Sequence, residues 1–384
     1  MSMKRLCAVL SAAAVMISCA ADIGSTDIKP QAGDISAKAA VLMEASTGKV
    51  IWGKCENQKL PMASTTKIMT TILTLESGDL DTEFTADSEA IKVEGSSMGL
   101  REGDIVSKRD LCIGMLLPSG NDAANCAAVK VGGTAEKFAD MMNAKASQLG
   151  MTSTHFVTPS GLHDDAHYST AADMGLLASY AIKNPDFREI CSSKSMKLTF
   201  GDPPFDRWLT NTNKLLSRYE GCIGVKTGFT DEAGRCLVSA AERDGVMLVC
   251  VTLNAPDDWN DHAKLLDYGF SVTECTDLGG KQYTVSAVGG TSDSITLVTE
   301  RNVTLSKING TVPEVTYTAA VPQRVYAPVR KGERLGTLTV KCGSRVIDEI
   351  PLISADDLAV KGGSGYEPPL VSRVTDVLKE LLFK

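Results

Sequence analysis

Short apolar runs separated by turn-forming residues predict strands at the beginning and in the middle of the chain. Residues 39–45 and 50–54 are two such runs, and the Ser-Thr-Gly-Lys segment at 46–49 predicts a β-hairpin between them. The same character recurs in three later runs, at residues 222–226, 235–241 and 246–253. The Arg-Asp-Gly segment at 243–245 predicts a turn between the last two. Together these runs predict an antiparallel sheet.

Between these strands the apolar residues recur at helical spacing. Residues 64–75 are compatible with a helix, and further helices are predicted at residues 109–117, 122–131, 135–149 and 261–270. Helices enclosed by an antiparallel sheet in this order are typical of an α+β domain, which we place at residues 39–280.

The composition changes beyond that domain. Residues 281–360 consist of short Val, Thr, Ile and Tyr runs broken by Gly and Asn, which predicts a small all-β domain of the β-sandwich type. Residues 361–384 begin with a glycine-rich linker and end with Leu370, Val374 and Leu381 on one helical stripe. This pattern predicts a C-terminal amphipathic helix.

The N-terminal segment, residues 1–21, has the pattern of an export signal. Two basic residues are followed by an apolar run at residues 6–17 and then by small residues. The run is too short to span a bilayer comfortably. We predict cleavage after Ala20 or Ala21, followed by a polar extension at residues 22–38. Lipidation of Cys19 is a minority alternative.

Composition and charge narrow the range of functions. A chain of 384 residues with 22% charged residues can bury the cores of one large and one small domain. The formal net charge is −8, and because an acidic body repels phosphate backbones, no nucleic-acid partner is expected. The 11 cysteines form no C-x-x-C pair, and the 4 histidines form no H-E-x-x-H arrangement. We therefore expect buried free thiols, no metal and no cofactor.

Three short motifs carry the candidate chemistry. They are S-x-x-K at residues 64–67, S-x-N at residues 119–121 and K-T-G at residues 226–228. At a helix start, Ser64 and Lys67 lie on one face one turn apart, so the amine can reach the hydroxyl. Ser46 and Lys49 have the same spacing, but they lie in the predicted hairpin turn, where nothing fixes both on one face.

These residue types fit a serine nucleophile activated by a lysine. A serine hydroxyl is a weak nucleophile until a base accepts its proton, and Lys67 can be that base only if burial or a nearby cation lowers its pKa. Lys226 is the candidate for that cation. Gly228 leaves room for a substrate backbone, and the N–H groups of Ser64 and Phe229 can donate to a developing oxyanion.

Two further features concern the geometry of the expected cleft. Pro118 ends the preceding helix, so residues 119–121 are predicted to form a loop that reaches the same cleft. Lys226 and Thr227 occupy successive strand positions, and an ideal pleat points them to opposite sides. A local twist or bulge is then needed if both are to serve the cleft. The histidines at positions 163 and 167 are interpreted as structural.

The three motifs in this order, within segments 61–70, 117–124 and 225–234, resemble the low-molecular-mass penicillin-binding proteins that are D-alanyl-D-alanine carboxypeptidases. The resemblance extends over nearly everything after the signal. It implies a serine-penicillin-recognising fold, similar to that of β-lactamases and transpeptidases. It also implies an exported serine D,D-carboxypeptidase that acts on a peptidoglycan pentapeptide ending in D-Ala-D-Ala and is acylated by β-lactam antibiotics.

The resemblance further implies a role for each matching residue. These roles are nucleophile for Ser64, base for Lys67, proton relay to the leaving amine for Ser119, orientation of the substrate amide for Asn121, binding of the terminal carboxylate for Lys226 and Thr227, and an oxyanion hole from the backbone amides of Ser64 and Phe229. The C-terminal helix would hold the enzyme as a peripheral protein on the outer face of the cytoplasmic membrane. Packing of that helix against another domain or a partner helix is the alternative.

Three other functions compete with the carboxypeptidase interpretation. A related β-lactamase needs a carboxylate that activates the deacylating water, but no E-x-x-L-N sequence lies between Ser119 and Lys226. A D,D-endopeptidase breaks an amide at the same substrate residue and stays open. A non-catalytic wall-binding or antibiotic-sensing module is disfavoured because Ser64, Lys67, Ser119 and Lys226 are all intact.

Overall fold

The structure, a computed structural model, describes residues 28–362. The predicted signal, Cys19 and the predicted C-terminal helix lie outside the described residues. The helices are α1 (Lys67–Glu76), α2 (Lys108–Leu116), α3 (Asn121–Gly132), α4 (Ala135–Gln148), α5 (Ala171–Ala181), α6 (Pro185–Ser192), α7 (Leu215–Arg218) and α8 (Asp258–Val272). Within the described range, none of them has the length and apolar character needed to cross a membrane.

The strands of both domains are numbered in chain order. They are β1 (Ala39–Glu44), β2 (Val50–Lys54), β3 (Phe84–Thr85), β4 (Ile105–Val106), β5 (Ser195–Phe200), β6 (Phe205–Thr210), β7 (Cys222–Thr230), β8 (Gly234–Arg243), β9 (Val246–Leu253), β10 (Thr273–Asp277), β11 (Gln282–Val288), β12 (Ser294–Thr299), β13 (Thr304–Ile308), β14 (Thr316–Ala320), β15 (Arg324–Tyr326), β16 (Arg334–Cys342) and β17 (Arg345–Ser354).

A five-stranded antiparallel sheet, in the order β2-β1-β9-β8-β7, forms the centre of the first domain. Helices cover both of its faces, so β1 is buried along its whole length. Ala39 and Val41 belong to the core shared with α1, α3 and α5, whereas Ala40 and Leu42 belong to the core shared with α8. This double burial explains why the sequence of β1 is a continuous apolar run rather than an alternating one.

The α+β interpretation is confirmed, and the predicted hairpin, strands and helices of the first domain are present. The helix expected from Ser64 differs in detail, because it begins as a 3-10 turn (Ala63–Thr66) and becomes α-helical at Lys67. Strand β7 runs on to Thr230, so the whole K-T-G motif lies within it. Helices α5 and α6 and the β5–β6 hairpin were not predicted.

The remaining strands form the all-β unit. Strands β10 and β13 make a two-stranded sheet, and a six-stranded sheet has the order β14-β16-β17-β12-β11-β15. Its core consists of aliphatic side chains such as Leu297, Leu338, Ile350 and Leu352. Strand pairing begins at Thr273, earlier than the boundary predicted at residue 281, because α8 passes directly into β10 without glycine or proline between them.

Candidate active site

Ser64 lies in the 3-10 turn that leads directly into α1, and this turn is pressed against the edge strand β7. A Cβ atom added at Gly228 would stand 3.0 Å from the backbone nitrogen of Ser64 and 3.1 Å from that of Thr65, which is tighter than most Cβ contacts. The glycine of the K-T-G motif therefore lets the 3-10 turn at Ala63–Thr66, called the nucleophile turn below after the candidate nucleophile that it carries, approach β7. Without it, β7 and Ser64 would be forced apart.

Lys67 is fully buried, one turn from the candidate nucleophile. Its Nζ lies 2.8 Å from the Oγ of Ser64, 2.6 Å from the Oδ1 of Asn121 and 2.7 Å from the carbonyl oxygen of Ser160. The orientation of the Asn121 amide is fixed, because its Nδ2 donates to the carbonyl of Glu94 at 2.7 Å. The two carbonyl-type oxygens therefore accept two N–H groups of the amine. In a neutral amine, the remaining lone pair then faces the Ser64 hydroxyl.

The surroundings of Lys67 favour this neutral form. Burial lowers its pKa well below the ordinary value, and the positive charge of Lys226 lowers it further, whereas Asp122 acts in the opposite direction. Lys226 is also buried, and burial lowers its pKa to about 7. The arrangement can therefore supply an unprotonated amine beside a serine hydroxyl, which is the requirement for lysine-assisted nucleophilic attack.

Lys226 and Thr227 point to different sides of β7. The Nζ of Lys226 donates to the carbonyl of Thr227 at 2.9 Å, and the side chain is 1% exposed. Thr227 instead lines a cleft, where its Oγ1 lies 2.7 Å from the Oγ1 of Thr212. The irregularity of β7 falls between Cys222 and Gly224, before the motif, so it does not turn Lys226 into the cleft. Lys226 thus stands behind the cleft wall, and Thr227 stands in it.

The cleft has a volume of about 330 Å³. The residues expected there that line it are Ser64, Ser119, Thr227, Gly228 and Phe229. Ser119 has a φ of +69°, a left-handed conformation that is uncommon for a residue with a side chain. Phe229 is 63% exposed, so its ring borders the open side. Asn121, Lys67 and Lys226 lie behind these residues, buried in the wall.

Arg235 brings a further cation to the cleft, and motif reasoning did not find it. Its Nη2 donates to both carboxylate oxygens of Asp258, at 2.7 and 2.9 Å, and the guanidinium lies 5.6 Å from the ring centre of Trp259. Arg235 pairs with Phe229 across β7 and β8, so both side chains share one face of the sheet. Because its partners come from α8, no local sequence pattern indicated this position.

Asp122, the residue after the S-x-N motif, holds the loop that closes one end of the site. Its carboxylate accepts hydrogen bonds from the hydroxyl of Ser97 and from the backbone N–H groups of Met98, Gly99 and Leu100. The same loop supplies the Glu94 carbonyl that orients Asn121. The sequence analysis did not identify this role; the signal that could have indicated it is an acid directly after the S-x-N motif.

The other candidates considered in the sequence lie apart from this chemistry. The Oγ of Ser46 donates to the carboxylate of Glu44 at 2.8 Å, within the β1–β2 turn. His163 lies 3.4 Å from Asp165, and both are at least partly exposed. Among residues 28–362, no group of three or more His, Cys, Asp or Glu side chains is placed to hold a metal ion.

Two family models match the chain. The model described as D-alanyl-D-alanine carboxypeptidase matches residues 26–257, and the model described as penicillin-binding protein 5, C-terminal domain, matches residues 270–359. The chain is 34% identical over 339 residues to a D-alanyl-D-alanine carboxypeptidase of Bacillus subtilis, a match that covers 85% of this chain and 87% of the relative. A D-alanyl-D-alanine carboxypeptidase of Escherichia coli is 31% identical over 366 residues, with 87% of each chain covered.

Two solved structures of similar proteins superpose on the chain. A D-alanyl-D-alanine carboxypeptidase from Francisella tularensis superposes with a TM-score of 0.62 at 28% identity, covering 87% of this chain and 96% of the other. A DD-transpeptidase from Streptomyces superposes with a TM-score of 0.60 at 34% identity, covering 64% of this chain and all of the other.

Proposed function

The chain belongs to the D-alanyl-D-alanine carboxypeptidase family of low-molecular-mass penicillin-binding proteins, and we propose that it removes the terminal D-alanine from peptidoglycan pentapeptides through an acyl-enzyme on Ser64. The expected serine-penicillin-recognising fold is confirmed by the solved relatives. One observation carries the assignment of residues: the Nζ of Lys67 lies 2.8 Å from the Oγ of Ser64 while two fixed oxygens accept its N–H groups.

In the acylation step, Lys67 accepts the proton of Ser64 as the Oγ attacks the carbonyl carbon of the D-Ala-D-Ala amide. The developing oxyanion accepts hydrogen bonds from the backbone N–H groups of Ser64 and Phe229. Ser119, which lines the cleft, delivers a proton to the leaving nitrogen, and the terminal D-alanine departs. Water then hydrolyses the ester and restores Ser64.

The substrate is held on both sides of the scissile bond. One hydrogen of the Asn121 Nδ2 is committed to Glu94, and in the proposed complex the other donates to a carbonyl of the substrate. On the leaving side, the hydroxyl of Thr227 donates to the terminal carboxylate. Lys226 adds positive charge from behind the wall, and the guanidinium of Arg235, paired with Asp258, lines the same cleft. Penicillins, which present a carboxylate beside a reactive amide, use the same contacts.

The test of carboxylate recognition compares three substrates with the purified protein: a peptide ending in D-Ala-D-Ala, the same peptide with an amidated terminus, and a crosslinked peptide. Charge-assisted hydrogen bonds contribute about 1.5–3 kcal/mol each, so amidation is expected to lower kcat/KM by about 10- to 100-fold. Equal turnover of the free and amidated peptides would contradict carboxylate recognition and favour the endopeptidase function, as would preferred cleavage of the crosslinked peptide.

We also propose the organisation and location predicted from the sequence. The catalytic domain comprises residues 39–280 and the small β domain residues 281–360, after a removed signal at residues 1–21. The amphipathic segment within residues 361–384 holds the exported enzyme on the outer face of the cytoplasmic membrane. Deleting residues 366–384 should release active protein from membranes. If the truncated protein still sediments with membranes, the tail is not the main anchor, and the Cys19→Ser variant then tests lipidation.

A further inference from the structure

His167 is a buried imidazole beside the nucleophile turn, and the acylation steps above do not use it. Its Nδ1 accepts hydrogen bonds from the backbone N–H groups of Val157 and Thr158, at 2.9 and 3.2 Å. A ring nitrogen that accepts two N–H groups carries no proton, so the proton lies on Nε2. Nε2 is 2.8 Å from the Oγ1 of Thr66 and donates to it. The imidazole is therefore fixed in one neutral tautomer between two segments.

One of these segments is the loop at residues 157–161, which also contacts the candidate base. The carbonyl of Ser160 accepts from the Nζ of Lys67 at 2.7 Å, and the carbonyl of Pro159 accepts from the Oγ1 of Thr70 at 2.6 Å. At Gly161, where φ is +80°, a Cβ atom would stand 2.0 Å from the carbonyl oxygen of Ala63. The loop thus contacts the nucleophile turn and α1 at several points. At Gly161 the two backbones are so close that there is no room for a side chain.

The other segment is the nucleophile turn itself. Thr66 directly precedes Lys67 and lies in the 3-10 turn that carries Ser64. His167 therefore joins the turn that bears the nucleophile to the loop whose Ser160 carbonyl orients the base. The two acceptors of the Lys67 amine come from different parts of the chain. His167 contacts the loop of only one of them, whereas Asn121 is held separately by Glu94.

We propose that His167 is a positioning residue that keeps the Ser160 carbonyl on the amine of Lys67 and thereby aims the lone pair of that amine at Ser64. The inference rests on the proposed role of Lys67 as the base. When the Ser160 acceptor moves away, the amine can rotate, and the lone pair faces the hydroxyl for only part of the time. Misplacement of a reacting group by about 1 Å costs up to about 100-fold in rate.

The charged groups around His167 do not disturb its neutral state. Burial lowers its pKa to about 4; Asp164 favours the protonated form, whereas His155 and His163 oppose it. Protonation would place an N–H on Nδ1 opposite two backbone N–H donors and would release the loop. Near neutral pH the imidazole is therefore a permanent link rather than a switch.

The test measures acylation of the full-length protein by a labelled penicillin, separating the first-order acylation rate constant from the dissociation constant of the initial complex. His167→Ala is expected to lower the rate constant by about 10- to 100-fold and to change the dissociation constant by less than about 3-fold. His167→Gln, which can accept and donate at similar positions, should recover most of the rate. Thr66→Val removes only the hydroxyl that accepts from Nε2, so it should lower the acylation rate constant by a smaller factor. This variant replaces His167→Ala as the test if His167→Ala does not fold.

A matched control is His262, another buried histidine, which bonds Ser239 and Thr252 between the sheet and α8. His262→Gln should leave the acylation rate constant of the folded protein unchanged. The pH profile of acylation separates loss of positioning from general destabilisation of the fold. Loss of His167 is expected to admit water to Lys67 and raise its pKa towards the ordinary value. The acid limb of the profile should then shift to higher pH.

Two results would overturn the inference while leaving the proposed function intact. One is wild-type acylation by a folded His167→Ala variant, or by Thr66→Val if the first variant does not fold. The other is an acid limb that moves equally in the His167 and His262 variants. If the wild-type protein is not acylated on Ser64 at all, the proposed function fails first.

Discussion

The cleft of the catalytic domain is surrounded by buried ionisable side chains, whereas the core of the β domain is built from buried aliphatic side chains. Lys67 and Lys226 are among the largest fully buried side chains of the described residues, and Asp122 and His167 are buried near them. The β domain instead buries aliphatic side chains such as Leu338, and a typical charged pair in it, Arg301 with Asp348, is partly exposed.

This difference separates residues that stabilise from residues that react. Burying an amine disfavours its charged form, which costs stability, but it also lowers the pKa of the amine, as the proposed chemistry requires of Lys67. The catalytic domain tolerates this because a sheet covered on both faces supplies a large apolar core around the site. Substitutions of the buried amines near the cleft should therefore lower activity without lowering stability, whereas substitutions in the β-domain core should lower stability without lowering activity.

The largest effect is expected for Lys67→Met, which removes the base but keeps an unbranched side chain of similar length. Loss of a general base lowers rates by about 10²- to 10⁴-fold, so acylation by labelled penicillin should fall by this factor. The unfolding free energy should not fall, because a buried amine is replaced by an apolar group. Lys49→Met, in the other S-x-x-K match, is the control, and loss of acylation in that variant would contradict the assignment.

In the β domain, Leu338→Ala should show the reverse behaviour. Leu338 is completely buried, and a Leu-to-Ala change in such a core costs about 2–5 kcal/mol of unfolding free energy. Denaturant unfolding should report this loss, while the acylation rate constant at a temperature where the protein is folded should stay at the wild-type value. A proportional loss of acylation would show that the two regions are coupled.

Lys226→Met should raise stability and lower activity in the same variant. The folded pKa of Lys226 is about 7 and its unfolded pKa is near 10.4, so the unfolded chain binds more protons across this window. Its contribution to stability therefore rises with pH from about 7 to 10. The substitution should flatten that slope and stabilise the protein at pH 7 by about 1–4 kcal/mol, by analogy with replaced buried charges. An unchanged slope in denaturant titrations would contradict burial of this amine.

The smallest effect is expected for Thr227→Val, which removes one hydroxyl from the cleft. Turnover of a D-Ala-D-Ala peptide should fall by about 10- to 100-fold, with no change in the unfolding transition beyond about 1 kcal/mol. Thr227 and the substrate carboxylate share one interaction, so amidating the substrate should cost this variant less than it costs the wild type. Fully additive losses would show that Thr227 contacts something else.

The sequence was sufficient for the fold class and for recognising that residues within one short motif lie close together. Ser64 and Lys67 are one turn apart, so helical spacing alone brought them together. It was not sufficient for contacts made between distant segments: the Ser160 carbonyl and the Asp258 carboxylate reach the site through tertiary packing. A backbone carbonyl carries no residue signature, which explains why Ser160 was missed.

The geometry of β7 shows the same limit in another form. From the sequence, a local twist or bulge was needed if Lys226 and Thr227 were both to enter the cleft; the irregularity of β7 lies before the motif, and Lys226 is buried behind the wall. Periodicity gave the correct sides of the strand. Periodicity could not indicate that the charge of the buried Lys226 amine lowers the pKa of Lys67.

The most direct test of the account is the position of the covalent adduct. The protein is treated with a labelled penicillin, digested and analysed by mass spectrometry, with Ser64→Ala and Ser46→Ala as paired variants. We expect the adduct on the peptide that contains Ser64, its loss in Ser64→Ala and its retention in Ser46→Ala. An adduct on Ser46, or one that persists in Ser64→Ala, would contradict the central claim that Ser64, held beside the buried amine of Lys67, is the nucleophile.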